Sequence, residues 1–246
     1  MQLKLSVLDQ SPVGQNRSPK EAFQETTELA KWTEKLGYHR FWVSEHHSTK
    51  SLAGSAPEIL ITHLAANTSK IRVGTGGVLL PHYSPYKVAE VFRVLESLYP
   101  GRIDLGIGRA PGGMPGVNYA LNNGKYPNTK DYPNQVKELM EYIRGKEHPV
   151  YKVKATPLGE TVPPIWMLGS SDTSAQLAAR LGTSYTFAQF INGDGGRNAM
   201  KFYYNQFQAS EHLDKPQGNV AVFVICMETE EEAENYGAIM DLQLLR

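Results

Sequence analysis

The feature that most constrains this chain is a regular alternation of short apolar runs with longer helical patterns. Seven runs have the length and residue types of strands, and each is followed by a helical pattern. The predicted strands cover residues 3–8, 41–44, 71–75, 103–107, 164–168, 184–188 and 219–225. The predicted helices cover residues 23–36, 58–66, 87–98, 134–143, 173–181, 198–209 and 230–245. Such alternation predicts parallel strands joined by right-handed crossovers.

Two architectures fit this alternation, a doubly wound open sheet and a (β/α)8 TIM barrel. A dinucleotide-binding sheet would carry Gly-x-Gly-x-x-Gly after its first strand, whereas residues 9–13 read Asp-Gln-Ser-Pro-Val. Polar residues follow several different strands, as the mouth of a barrel requires. We therefore expect a TIM barrel. With seven predicted strands it is apparently truncated before strand eight, so residues 1–246 form one domain whose last strand and helix are missing.

Composition narrows the classes of partner. The 25 Lys and Arg residues balance the 25 Asp and Glu residues, so no net charge points to nucleic acid or to a membrane surface. There is no signal-peptide pattern and no apolar stretch near the ~20 residues that a membrane span needs. The single cysteine, Cys226, follows the apolar run 220–225, so we expect a buried, inert thiol. A cytoplasmic location is expected.

An acid and two imidazoles, Glu45, His46 and His47, come directly after the predicted strand 41–44. Imidazole is the side chain whose pKa lies nearest to neutral pH, so this strand end is suited to proton transfer. The competing interpretation is a polar surface turn, and spacing alone does not separate the two. A metal site is disfavoured, because consecutive residues of an extended strand point to opposite faces.

Three further strand ends carry residues of possible function. Gly76 and Gly77 would allow close backbone approach, although an ordinary tight turn is the simpler interpretation. Arg109 lies between Gly108 and Ala110, and an arginine free of bulky neighbours suits an anion as well as a surface ion pair. A predicted helix is preceded or opened by Ser170, Ser171 and Ser174, whose hydroxyls would suit either N-capping of the helix or the binding of a phosphate. Together, Arg109 and the serines predict a phosphate clamp.

Residues 110–128 form a long Gly-, Pro- and Asn-rich connection after the fourth predicted strand. Such a loop in a compact domain is usually functional or disordered. On a barrel, this loop would lie over the mouth. We therefore expect a structureless lid.

Three segments in this order resemble the bacterial luciferase-like, flavin-dependent monooxygenases. They are residues 41–47 (FWVSEHH), 73–81 (VGTGGVLLP) and 101–109 (GRIDLGIGR), and the resemblance covers nearly the whole chain. It implies a barrel that binds reduced FMN at its mouth, where the flavin activates O2. A separate flavin reductase would supply FMNH2, since no nicotinamide-binding fingerprint is present, and a small organic molecule would be oxidised. The family also implies a homodimer formed through the early helices.

Carried over by position, the resemblance assigns catalysis to His46 as acid/base, with Glu45 or His47 orienting neighbours or tying the dimer interface. It places Gly76 and Gly77 at a cis peptide beside the flavin ring. Arg109, Ser170, Ser171 and Ser174 would bind the FMN phosphate. The chain departs from bacterial luciferase in having Gly108, and no cysteine, before Arg109, which disfavours light emission on an aldehyde.

Two alternatives stay open at this point. One is a flavin-binding protein without turnover, its barrel incomplete. The other is a deazaflavin-dependent oxidoreductase of the same superfamily.

Overall fold

Eight strands, all parallel to their neighbours, form the sheet of the chain in a computed structural model that describes residues 3–110 and 112–244. Their bounds are Ser6–Asp9 (β1), Arg40–Val43 (β2), Arg72–Thr75 (β3), Val78–Leu79 (β4), Ile103–Gly108 (β5), Ile165–Gly169 (β6), Ser184–Ala188 (β7) and Gly218–Ala221 (β8). The order is β1-β2-β3-β5-β6-β7-β8, with the two-residue β4 beside the C-terminal end of β5. The sheet is a nearly closed TIM barrel, as predicted.

Eight helices separate or follow these strands. Their bounds are Pro19–Lys35 (α1), Pro57–Ala66 (α2), Pro85–Leu98 (α3), Pro115–Leu121 (α4), Tyr132–Ile143 (α5), Asp172–Leu181 (α6), Gly196–Gln206 (α7) and Glu230–Leu244 (α8). Short 3-10 turns cover Leu80–His82 and Thr129–Asp131. The local sequence explains the ends. Ser18 and Glu21 form a capping box at α1, and Gly182 ends α6 in the left-handed conformation.

The hydrophobic core lies between the strands and the surrounding helices. Alternate residues of each strand point outward into it, such as Phe41 and Val43 of β2 and Tyr185 and Phe187 of β7. The other set of residues fills the barrel. This division fixes which side chains near the strand ends can reach the mouth.

The inside of the barrel is polar below the mouth. Asp104 is fully buried, and its carboxylate accepts hydrogen bonds from Arg40 Nε (2.9 Å), Trp42 Nε1 (3.0 Å) and Arg72 Nε (2.8 Å). The Arg40 guanidinium also lies 4.7 Å from the centre of the Trp166 ring. Four strands are thereby joined by one set of side chains.

Several sequence-based expectations are wrong. β4 was not predicted, and α1 begins at Pro19 rather than at residue 23. The connection 110–128 is not structureless, because α4 forms within it. The last predicted strand, 219–225, ends at Ala221, and residues 222–225 are exposed and outside the sheet. Cys226 is exposed rather than buried, because the segment before it has left the sheet.

Within residues 3–110 and 112–244, the helices are all too short or too polar to cross a bilayer.

Candidate active site

The C-terminal end of β2 delivers Glu45, His46 and His47 to the barrel mouth, and the backbone there is firmly held. The His46 amide donates to the Gly54 carbonyl (2.8 Å), and the His47 amide donates to the Gly112 carbonyl (3.0 Å). The segment is therefore fixed on one side by the loop before α2 and on the other by the loop after β5.

The Glu45 side chain is almost fully buried and is held by three groups. Its carboxylate accepts hydrogen bonds from the Leu79 amide (2.9 Å) and from the Tyr83 hydroxyl (2.5 Å). His47 Nε2 lies 2.7 Å from the same carboxylate. Burial, together with this hydrogen bond to Glu45, raises the pKa of Tyr83. Glu45 thus joins the β2 end to the segment after β4.

His46 is half-buried, and one of its ring nitrogens is engaged. Nδ1 lies 3.1 Å from the Ser44 hydroxyl, while Nε2 has no hydrogen-bond partner among the described residues. Burial lowers the pKa of His46 below its ordinary value; His47 lowers it further, and Glu45 partly opposes them. The imidazole is consequently neutral at pH 7, with one nitrogen free to exchange a proton.

Gly76 and Gly77 are joined by a cis peptide bond, as the resemblance implies. A Cβ on Gly76 would lie 2.5 Å from Leu8 Cδ1, and one on Gly77 would lie 2.8 Å from the Gly106 backbone. Larger residues would clash at both positions. Close packing of backbone here explains two adjacent glycines better than a simple tight turn.

Arg109 follows β5 and is exposed at the mouth. Within the described part of the chain its guanidinium makes no hydrogen bond or ion pair. The hydroxyl of Tyr132, a buried side chain near Arg109, likewise has no partner there, and burial raises the pKa of Tyr132. The structure therefore leaves a cation at the mouth without a protein anion.

The serine-rich segment after β6 opens α6. Ser171 is the N-cap, but its hydroxyl makes no capping hydrogen bond, and the amides of Asp172 and Thr173 have no partner among the described residues. Ser174 Oγ donates to the Ser171 carbonyl (2.6 Å) and lies 3.0 Å from the Tyr185 hydroxyl. Free amides at a helix N-terminus suit an anion.

The register of β5 and β6 places these two groups at the same level of the barrel. Ile107 is paired with Met167, so Arg109 and Gly169 both lie two residues further along parallel neighbouring strands. Ser170 and Ser171 follow immediately. The predicted phosphate-binding residues therefore lie on adjacent strand ends.

The segment after β5 covers one side of the mouth and is fastened at two points. Besides the His47–Gly112 hydrogen bond, Asn122 Nδ2 lies 2.8 Å from His82 Nδ1. A Cβ on Gly112, whose φ is +70°, would lie 2.0 Å from Leu79 Cδ1. The predicted lid is thus packed against the residues that surround Glu45.

Two contacts at the mouth were missed by sequence reasoning. The bond of Tyr83 to Glu45 depends on a contact between segments 38 residues apart. Asn192, in the loop after β7, donates to the Ser170 carbonyl (2.8 Å). The Asn-Gly-Asp-Gly-Gly sequence from 192 indicates an Asn-initiated turn and could have drawn attention to it.

No group of three or more His, Cys, Asp or Glu side chains in residues 3–110 and 112–244 is placed to hold a metal ion. Trp42 and Trp166 are both buried and meet edge to face at 5.2 Å. The site is therefore a set of acid–base and anion-binding groups above an aromatic floor.

Sequence comparison relates the chain to known proteins over nearly all of its length. The family profile described as luciferase-like monooxygenase matches residues 1–242. The Bacillus subtilis protein YwcH is 54% identical over 246 residues, which is 99% of this chain and 74% of YwcH. The N-acetyl-S-alkylcysteine monooxygenase of Bacillus subtilis is 43% identical, over 95% of this chain and 71% of that protein.

Solved structures with the same fold agree with this. The crystal structure of apo-MsnO8 is 44% identical and superposes with a TM-score of 0.89, over 95% of this chain and 70% of that chain. The oxygenating constituent of 3,6-diketocamphane monooxygenase from Pseudomonas putida, solved with FMN, has a TM-score of 0.74 at 22% identity, over 96% and 71% of the two chains. At this lower identity, the similarity to the 3,6-diketocamphane monooxygenase constituent shows a shared fold.

Proposed function

Because the chain belongs to the luciferase-like monooxygenase family, we propose that it oxidises a small organic molecule with O2 and reduced FMN. The observation that carries the proposal is the placement of His46, a neutral imidazole with a free Nε2, at the mouth of the barrel. A general base must be neutral before it acts and must have a nitrogen that can take the proton, and His46 meets both conditions.

The residues at the mouth fit a flavin phosphate and a flat ring. Arg109 is a cation without a protein partner, and the free amides that open α6 lie on the adjacent strand end. Gly76 and Gly77 leave backbone, rather than side chains, facing their neighbours. In the proposal, Arg109, Ser170, Ser171 and Ser174 bind the phosphate, and Gly76 and Gly77 lie beside the ring.

The protein's part in the reaction is to orient groups, exclude water and move a proton. When bound, reduced FMN supplies the electrons that activate O2. His46 Nε2 gives or takes the proton, while Ser44 holds Nδ1. Glu45 acts by position, since its carboxylate is saturated by Leu79, Tyr83 and His47. The segment that contains α4 limits access of water.

The partners follow from the same proposal. A separate flavin reductase supplies FMNH2, and O2 and the organic substrate reach the mouth from solvent. A homodimer is proposed through α2 and α3, where a groove of about 810 Å³ is lined by the exposed apolar residues Ile59, Val94 and Leu98. We also propose a cytoplasmic location, since the lone Cys226 leaves no intramolecular disulfide.

His46→Ala tests the proposal directly. Wild-type protein, given FMN, NADH, a flavin reductase and O2, is expected to oxidise one or more members of a panel of thioethers, ketones and aldehydes. The variant should retain FMN binding and lose ~100-fold or more of that activity, the usual contribution of a general acid–base group. His39→Ala, at the opposite end of the same strand, is the matched control and should keep its activity.

Full activity in His46→Ala would contradict the assignment. Wild-type protein that binds FMN but oxidises nothing in the panel would favour a binding protein without turnover. Tighter binding of a deazaflavin than of FMN, measured by fluorescence titration, would favour the hydride-transferring branch of the superfamily.

A further inference from the structure

The loops after β6 and β7 are joined by one side chain, that of Asn192. Asn192 Nδ2 donates to the Ser170 carbonyl at 2.8 Å. Ser170 is the residue between the end of β6 and the N-cap of α6. The bond therefore reaches from one barrel loop to the backbone of the serine segment, 22 residues away along the chain.

The Asn192 side chain is itself fixed from the other side. Its Oδ1 accepts from the amides of Asp194 and Gly195, each at 3.3 Å, in a turn that leads into α7. A Cβ on Gly195 would lie 2.7 Å from Asn192 Nδ2, so a larger residue there would displace the carboxamide. Both ends of the carboxamide are occupied, and it can rotate little.

The contact with Ser170 has a consequence for the next residue. The Ser170 carbonyl and the Ser171 amide belong to one planar peptide unit, in which C=O and N–H point in opposite directions. Holding the carbonyl toward Asn192 therefore aims the Ser171 N–H away from it. That amide has no hydrogen-bond partner among the described residues, and neither do the amides of Asp172 and Thr173 that follow.

We propose that Asn192 is a positioning residue for the phosphate site: it orients the Ser170–Ser171 peptide so that the Ser171 amide points at the flavin phosphate. The inference rests on the proposed function, since it concerns the same site. Asn192 acts through the backbone of its neighbour and needs no contact with the ligand.

The test compares FMN with riboflavin, which differs by the phosphate alone. Wild-type protein is titrated with each flavin, and binding is followed by quenching of flavin fluorescence. We expect FMN to bind more tightly than riboflavin. Asn192→Ala should raise the Kd of FMN about three- to tenfold, the range of one hydrogen bond, and change the Kd of riboflavin less than about twofold.

Two further variants separate positioning from folding. Asn198→Ala removes the same side chain from an exposed position of α7 with no hydrogen bond to Ser170 among the described residues, and should bind both flavins like wild type. Asn192→Asp keeps the acceptor for Asp194 and Gly195 but loses the donor to Ser170. This variant should also weaken the binding of FMN more than that of riboflavin. We expect the effect in 1 M NaCl as well as at low salt, because salt screens the added charge but does not restore the donor.

The inference is overturned if Asn192→Ala and Asn192→Asp keep the wild-type ratio of the two Kd values, or if they lose riboflavin as strongly as FMN. If Asn192→Ala does not fold, as judged by circular dichroism, Asn192→Asp decides. Wild-type protein that binds riboflavin as tightly as FMN would overturn the phosphate site itself, and with it this part of the proposed function.

Discussion

Glu45 shows how a single buried carboxylate can tie together segments at the barrel mouth. Three groups from different segments, the Leu79 amide, the Tyr83 hydroxyl and the His47 ring, meet at its two oxygens. A buried charge is tolerated only where such partners satisfy it. Removing one of them should therefore cost more than an exposed hydrogen bond would.

Tyr83→Phe is the mildest way to test this. The variant removes the hydroxyl and leaves Glu45 with one donor fewer, so we expect the free energy of unfolding to fall by about 1–3 kcal/mol at pH 7.5. Urea denaturation of the variant and wild type measures the difference. Tyr119→Phe, at an exposed ring, should change stability by less than about 0.5 kcal/mol. Equal stability of the two variants would contradict the role given to Glu45.

At the scale of elements, sequence periodicity predicted those helices and strands whose apolar pattern agrees with their burial in the fold. The predicted bounds of β7 match the structure, and α3 and α5 end where expected, because apolar spacing there coincides with real core contacts. α4 was missed because its Pro- and Gly-containing sequence has weak helix propensity, and packing of Val117 decides its fold instead. The apolar residues 222–225 resembled a strand, but no neighbour pairs with them in the described sheet.

The site was predictable to the same extent. The placement of candidate residues such as His46 and Arg109 at the mouth could be predicted, because a parallel barrel delivers all strand ends to one face. Contacts between loops, such as that of Asn192 with Ser170, depend on the relative placement of two segments and leave little trace in local sequence.

The loop between α7 and β8 carries a pH-dependent contact. Burial, with Arg144 nearby, lowers the pKa of His212 to about 4, and contacts with Glu141, the Met140 backbone and Glu211 oppose this only in part. The folded pKa is below the unfolded value of about 6.5, so protonation favours unfolding. The contribution of neutral His212 to stability is complete above pH 6.5 and is lost as the pH falls from 6.5 toward 4.

We expect urea denaturation at pH 7.5 and pH 5 to show this loss. His212 contributes up to about 2 kcal/mol of it, because about 1.5 pH units of its titration fall in that interval. His212→Asn should be less stable than wild type at pH 7.5 but should lose correspondingly less on acidification. An unchanged pH dependence in the variant would show that other groups, such as His39 or His46, carry the effect.

At the scale of the whole molecule, the barrel is held together from the inside by charge. Asp104 is fully buried between Arg40 and Arg72, and its bonds reach Trp42 as well. Replacing buried ion pairs by apolar residues can be neutral, but removing one partner leaves a buried charge uncompensated. The cluster therefore matters for stability chiefly because the loss of one member leaves a buried charge without a partner, and less because of the attraction between its charges.

Asp104→Asn keeps the shape and removes the charge, so Arg40 and Arg72 lose their anionic partner. We expect the free energy of unfolding to fall by about 3 kcal/mol or more, measured by urea denaturation at pH 7.5. Asp214→Asn, at an exposed carboxylate with no hydrogen bond or ion pair among the described residues, should be within about 0.5 kcal/mol of wild type. A loss below 1 kcal/mol in Asp104→Asn would show that water compensates the cluster.

The spatial order of the long strands is the same as their order along the chain. Each of them pairs with the next long strand to be synthesised, so no pairing recorded here has to wait for a distant later segment. Chain growth from the N-terminus can therefore add one strand and one helix at a time to an existing edge. The sheet can form in step with translation, and the interval during which each new edge is exposed to other nascent chains is about the time needed to synthesise one repeat.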